Sequence, residues 1–213
     1  MFKKDRVLKP REGFKMGMGI FNEEHVSGTI TLQGEVFFHM VDARTGEVLL
    51  DRSQKNLIML DAGILIARLL KDPAEPAHGL NMLAIGTGAT GALLAPDAPD
   101  NRQRKLNAEL ARKSFSSTVF RDASGNAVSI PTNIVDYTVT FGEGEAVGPL
   151  NEMGLLSTIS ANTSILNPSP DTFPTRDVTV DVSLYDTLFN YLTFGVIVKP
   201  STAVLSLTWR ITT

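Results

Sequence analysis

The chain has 213 residues, 43% hydrophobic and 20% charged, with a formal net charge of −3. That length can bury one good-sized core, or one core with an extended arm. The absence of cysteine excludes disulfides and thiolate metal sites, no overall basic field points to nucleic acid, and no apolar run reaches the roughly 18 residues of a membrane span.

The first 20 residues carry Lys3, Lys4, Arg6, Lys9, Arg11 and Lys15 against Asp5 and Glu12, a local charge of +4 that leaves −7 for the remainder. This opening stretch lacks the apolar core of a secretory signal, so the expectation is a soluble protein made inside the cell. With Gly13, Gly17 and Gly19 and few β-branched residues, residues 1–28 cannot pack a core of their own. They read either as a frayed terminus or as a basic arm that orders on an acidic neighbouring subunit. Residues 29–213 read as a single β-rich domain.

Strand patterning begins at Thr29. Two β-rich runs flank Ala43-Arg44-Thr45-Gly46, which predicts a hairpin pairing Glu35–Val41 with Glu47–Leu50. In LIMLDAGILIARLLKDP, near-helical spacing of Leu60, Ile64, Leu65 and Ala67 to Leu69 predicts a helix at about 61–71, with Asp61 as N-cap and Pro73 as its stop. Its faces are apolar nearly all round, which predicts a helix buried under a sheet.

Residues 86–91 read GTGATG, the spacing of a dinucleotide fingerprint. That motif needs a preceding strand and a helix opening at its third glycine, whose N–H groups and dipole hold the pyrophosphate. Met82–Ile85 supplies the strand. Beyond Gly91 the run ALLAPDAPDN puts Pro96 and Pro99 where the helix should be, and no Gly-Lys-Ser/Thr follows as in a phosphate-binding loop. The glycines therefore predict a strand ending in a tight turn, and no cofactor is expected.

Next, RQRKLNAELARKS reads as a short second helix with Leu106 and Leu110 at i, i+4 and Asp100 or Asn101 near its start. Arg102, Arg104, Lys105, Arg112 and Lys113 lack interleaved aromatics for base stacking, and read as a solvated face or a subunit contact.

The second half is almost entirely β. Asp122-Ala123-Ser124-Gly125-Asn126 marks another hairpin. Val135, Tyr137, Val139 and Phe141 alternate with polar residues, as do Val178, Val180, Val182 and Leu184, and Leu205, Leu207, Trp209 and Ile211. A proline-rich surface loop falls near 167–175. Together these predict a mainly β fold, an antiparallel sandwich or barrel-like domain with one or two short helices and an extended N-terminal arm.

Catalytic constellations fare poorly. His25, His39 and His78 are scattered, and His39 reads as a satisfied sheet histidine. No G-x-S-x-G elbow occurs. Glu143 and Glu145 sit on a glycine-rich stretch and read as solvated turn residues; glycoside hydrolysis would need two carboxylates across a cleft. Asp97 and Asp100 lack the D-x-[DN]-x-[DN]-G frame of a calcium loop. No enzyme and no metal site is expected.

Over most of residues 35–213 the order of elements resembles a group of tailed-bacteriophage virion proteins. Its pieces here are Asn56-Leu57 with Gly63 ahead of a helix, the strand end AIGTG, a loop rich in Asp, Pro and Asn, and Leu106, Glu109 and Arg112. After these come YTVTF, an acidic-glycine loop, Asn151-Glu152-Met153-Gly154-Leu155, and a lysine-containing strand pair in VIVKPSTAVLSLTWRI. The most specific part is GTG followed at this separation by NEMGL, which makes Gly86, Gly88, Glu152 and Gly154 a candidate structural motif. Glu152 could accept hydrogen bonds from backbone N–H groups at the sheet end, and Gly154 could permit a turn or a close backbone approach; a surface turn is the alternative for both.

The resemblance implies an oligomeric, non-enzymatic virion component of the neck, collar, tail or baseplate, located in the virion and assembled in the host cytoplasm. The partners it implies are other copies of the chain and other virion proteins, rather than nucleic acid, membrane or a small molecule; the basic arm lies outside the resemblance, and its charge and composition alone suit it to contact between copies. A capsid-decoration or receptor- or glycan-binding module, with Phe173 as an exposed aromatic, is the first alternative. A cell-wall hydrolase is the second; it would need Glu143, Glu145 or Glu152 to meet another carboxylate in one deep pocket.

Overall fold

Strict alternation at the C-terminal end of the sequence sets the architecture. In Ala203–Thr212 every second residue is buried, with Leu205, Leu207 and Trp209 fully enclosed, because successive side chains of a strand point to opposite faces. The computed structural model describes residues 31–71, 79–158 and 186–213, and residues Thr31–Thr213 form one unit. The fold is mainly β, with antiparallel sheets, consistent with a sandwich.

The strands are β1 (Gln33–Asp42), β2 (Val48–Lys55), β3 (Leu57–Ile58), β4 (Met82–Gly86), β5 (Gly91–Ala92), β6 (Ala95–Pro96), β7 (Glu109–Ser114), β8 (Ser117–Arg121), β9 (Ala127–Val128), β10 (Ile134–Phe141), β11 (Gly148–Ser157), β12 (Thr187–Lys199) and β13 (Ala203–Thr212). A six-stranded sheet runs β2-β1-β13-β10-β8-β9 and a five-stranded sheet β3-β12-β11-β4-β7. Val36, Phe38 and Met40 of β1 and the apolar row of β13 meet Met153 and Leu155 of β11 and Leu192 and Phe194 of β12 in one core. The Phe38 and Phe194 rings, one from each sheet, meet edge-on at 5.2 Å. Trp209 donates its indole N–H to Asn56 Oδ1 at 3.1 Å, which satisfies the one polar atom of a buried ring.

A second, smaller cluster lies on the other face of the five-stranded sheet. Met82, Ala84, Leu156, Leu188 and Tyr191 are covered there by Met59 and Leu106.

Both predicted hairpins form. In the first, Asp42 Oδ1 accepts the amides of Arg44 and Thr45 and Gly46 takes a φ of 73°, the left-handed conformation glycine allows. Its second strand runs on to Lys55, beyond the expected end at Leu50. In the second hairpin, Asp122 Oδ1 caps Ser124 and Asn126, and Gly125 has a φ of 85°.

Four expectations need correction. The helix α1 (Leu60–Lys71) forms, but it buries only Asp61, Ala62 and Leu65, and its described surroundings leave Leu60, Ile66, Leu69 and Leu70 exposed. It therefore rests one stripe against the sheet end instead of lying under it. Asp61 lies inside the helix, not at its N-cap, because its carboxylate is drawn to Arg104 Nε at 3.0 Å. The second helix, expected over 102–114, does not form. Glu109–Ser114 is the edge strand β7, paired with β4, since the buried β4 ladder needs a partner on that side and tertiary pairing overrides helix propensity. Finally, the lysine-containing segment is not a strand pair: β12 and β13 belong to different sheets, and the chain crosses between them at 199–203.

The strand expected over residues 178–184, the expected proline-rich loop, Phe173, Pro73, His25, His78 and the basic residues Lys3, Lys4, Arg6, Lys9, Arg11 and Lys15 lie outside the described residues.

Candidate functional site

Antiparallel pairing of β4 with β11 sets Glu152 directly opposite Gly86 and Gly154 opposite Ala84. The two pieces of the candidate structural motif, far apart in sequence, thus become neighbours in one sheet. Glu152 is fully buried on the face that carries the smaller cluster. Its Oε1 accepts the backbone amides of Gly88 at 2.9 Å and Ala108 at 2.7 Å. Its Oε2 accepts the amide of Asn107 at 2.9 Å and the hydroxyl of Tyr191. Four donors satisfy a buried carboxylate, whose desolvation would otherwise be prohibitive.

The glycines make room for this closure. A Cβ at Gly88 would stand 2.3 Å from the Ala108 nitrogen, and one at Gly86 would stand 2.4 Å from the Ala108 carbonyl oxygen. At Gly154 it would meet Leu188 Cδ1 at 2.5 Å and the Asn190 carbonyl oxygen at 2.7 Å. Close approach, rather than turn geometry, is what requires these three. Positive φ is confined in this stretch to Gly91, at 94°, where the chain enters the short β5–β6 hairpin. That hairpin stands where a dinucleotide site would need a helix. Asn151 completes the clamp by accepting the Ala89 amide at 3.0 Å and donating to its carbonyl.

Tyr191, Asn107 and Ala108 were missed from the sequence. Tyr191 belongs to Asn190-Tyr191, a polar pair inside an otherwise apolar run, which was the available signal. Asn107 and Ala108 fell within the supposed second helix. Burial first, and the Glu152 charge second, push the pKa of Tyr191 well up, so the phenol remains a donor.

Arg102 of the basic run is exposed, but Arg104, Arg112 and Lys113 do not form a solvated face. Arg104 pairs with Asp61, and Lys113 Nζ reaches Glu145 Oε2 at 2.6 Å. Arg112, 3% exposed, bridges the carboxylates of Glu109 and Asp186. Burial lowers the Arg112 pKa, but the bonds to Glu109 and Asp186 outweigh it and hold the group charged. These cations turn inward because buried carboxylates await them.

Glu145 likewise is not a free turn residue; its bond to Lys113 holds its carboxyl below the ordinary value against the opposing effect of burial. Nearby Lys199, fully buried, donates to the carbonyls of Gly142 and Ala203, and burial holds its amine below the ordinary range. Glu143 is exposed, and Glu145 and Glu152 have separate partners. A cleft of about 630 Å³ between β2, the β5–β6 hairpin and β12 is lined by Arg52, Gln54, Lys55, Thr193 and Phe194 among others, with no carboxylate. His39 stands exposed on the outer sheet face, its Nδ1 3.6 Å from Asp51 Oδ2, rather than enclosed in the sheet. Asp100 accepts the Arg102 amide. Among the described residues no group of three His, Asp or Glu could hold a metal ion, and no helix is long and apolar enough to cross a membrane.

Asp136 is one of the polar residues that alternate with Val135, Tyr137, Val139 and Phe141, yet it is 3% exposed. Arg210 grips it through both oxygens, at 2.7 and 2.9 Å, and Arg121 adds a third bond at 2.8 Å. Burial pushes its pKa up, but the Arg210 and Arg121 bonds outweigh that and hold it below the ordinary value. A carboxyl whose pKa is lower folded than unfolded stabilises the fold above the unfolded pKa of about 3.9 and loses that contribution as pH falls through the folded one. Asp136→Asn is therefore expected to be less stable than the wild type at pH 7, with the difference closing as pH falls below about 4. Urea midpoints measured across that range check this, and a pH-independent difference would count against it.

Compared with protein-family models, curated proteins and solved structures, the chain matches none.

Proposed function

We propose that the chain is a non-enzymatic structural subunit of a tailed-phage virion, an oligomeric neck, collar or tail-associated component. The resemblance of its motif order supplies the virion setting. The observation that carries the structural role is Glu152: the acidic residue of NEMGL has both oxygens engaged by four donors of its own chain. A carboxylate so engaged fixes backbone against backbone. It has no oxygen left to take a proton from a substrate. A rigid β core suits a subunit whose contacts must repeat identically around a symmetry axis. The partners proposed are other copies and other virion proteins, and the basic residues 3–15 against an acidic remainder suit contact between copies.

A second reading, a decoration or receptor-binding module, is favoured by one feature. Leu93 and Leu94 at the tip of the β5–β6 hairpin are 73% and 85% exposed, as a contact with a different protein surface would require. Light scattering behind a sizing column, on the full chain and on a chain lacking residues 1–19, separates the two readings. The structural reading predicts a discrete multimer that collapses when the arm is removed. A monomer in both cases would overturn it in favour of the module.

A further inference from the structure

The two edges of the six-stranded sheet are unequal. One edge is β9, with two residues; the other is β2, with eight. Among the described residues no strand pairs with the outer side of β2. Its sequence, VLLDRSQK, has neither proline nor glycine, and six of its positions are exposed. An edge strand of that length presents a row of unpaired N–H and C=O groups able to template another strand.

We infer that β2 is the contact for a second copy of the chain, pairing antiparallel with its own equivalent about a two-fold axis at Ser53. Head-to-tail extension of this sheet would set β2 against the two residues of β9, whereas β2 against its own equivalent about Ser53 pairs five residues, Asp51–Lys55, so the better-matched partner for β2 is β2. A strand that pairs with its own equivalent forms an isologous contact, the commonest kind in homo-oligomers.

The register follows from face and charge. Residues directly opposite in a ladder share a face. Asp51, Ser53 and Lys55 lie on the outer face, opposite His39, Phe37 and Glu35 of β1; Leu50, Arg52 and Gln54 lie on the inner face, opposite Met40, Phe38 and Val36. An axis at Asp51 would set that carboxylate against its own copy, and an axis at Arg52 would do the same for the guanidinium. An axis at Leu50 would place Asp51 against Leu49. With the axis at Ser53, Asp51 meets Lys55 of the second copy and Lys55 meets its Asp51, while Arg52 meets Gln54. Like charges directly opposite destabilise a ladder and opposite charges stabilise it, so the Ser53 axis is the one the sequence of β2 supports. Arg52 lies on the inner face, held over the Phe38 ring at 5.1 Å. The result is one continuous sheet of twelve strands across the pair.

This contact rests on the assembly reading in that both require self-association, but the tests separate them. Because the chain has no cysteine, Ser53→Cys supplies a single thiol. Opposed residues in an antiparallel ladder have Cα atoms about 4.5–5.5 Å apart, within disulfide range. The full-length variant is expected to oxidise to a covalent dimer that reductant reverses. Asp51→Lys should raise the dissociation constant at least about tenfold, and Asp51→Lys with Lys55→Asp, made with Glu35→Gln so that the new carboxylate does not face Glu35 across β1, should restore it to within about threefold, by exchange of the two charge pairs. Circular dichroism of each variant serves as the folding control. A multimer by light scattering whose introduced thiols stay reduced, or whose charge-swapped variant remains as weak as Asp51→Lys, would overturn the β2 contact and leave the assembly reading standing. A wild-type chain that is monomeric throughout would overturn both.

Discussion

Glu152→Gln is expected to lower the free energy of unfolding by about 3 kcal/mol, and Glu152→Ala by about 5, at roughly 1–3 kcal/mol for each buried donor left without an acceptor. The amide keeps an oxygen for Gly88 and Ala108 but turns an NH2 group towards the Asn107 amide, donor against donor. Alanine leaves all three backbone amides and the Tyr191 hydroxyl facing apolar surroundings. Urea unfolding gives the size of the loss. Hydrogen exchange at Gly88, Asn107 and Ala108 gives its location, since these amides should lose protection before the core strands do. A loss below about 1 kcal/mol in the alanine variant would show that water replaces the carboxylate and that the clamp is not structural.

Arg112→Met should cost about 3–5 kcal/mol, the penalty for removing one partner of a buried ion cluster. Glu109 and Asp186, 4% and 8% exposed, would be left as neighbouring buried anions. Glu109→Gln placed in the same chain should recover part of that loss, because one of the two neighbouring carboxylate charges disappears. In the wild type the same Glu109→Gln should be destabilising. That reversal of sign in a double-mutant cycle is the check, and simple additivity would count against the ion cluster as described.

How much of this was legible in the sequence follows the range of the forces involved. Strands β1, β10 and β13, both hairpin turns and the extent of α1 were readable because period-two alternation and Asx-glycine turns are local signals. The failure at 102–114 was also local in origin. Leu106 and Leu110 do recur at helical spacing, but Leu106 caps the smaller cluster while Leu110 belongs to a strand recruited by β4. Nothing within thirteen residues encodes that division. Asp136 was lost for a similar reason, since its arginines lie 15 and 74 positions away and alternation alone assigns it to solvent. Glu152 could be singled out, and its backbone donors proposed, from the motif. Its full set of donors could not, because three of them come from segments that only the fold brings together.

The position of β13 governs how the protein comes into being. The last strand in the sequence lies between β1 and β10, pairing with β1 from Gln33–Thr212 to Asp42–Ala203 and with β10 from Ile134–Thr212 to Phe141–Leu205. Until it is synthesised, the β1–β2 hairpin and the β8–β10 ladder have no shared neighbour, and each has an open flank. Closing the longest loop among the described strand pairings is thus the step that unites the sheet, and such distant pairing slows folding relative to local contacts. For a nascent chain this means a waiting period with open strand edges, the interval in which wrong partners are most available. Chains released together would have to complete their own sheets before joining one another.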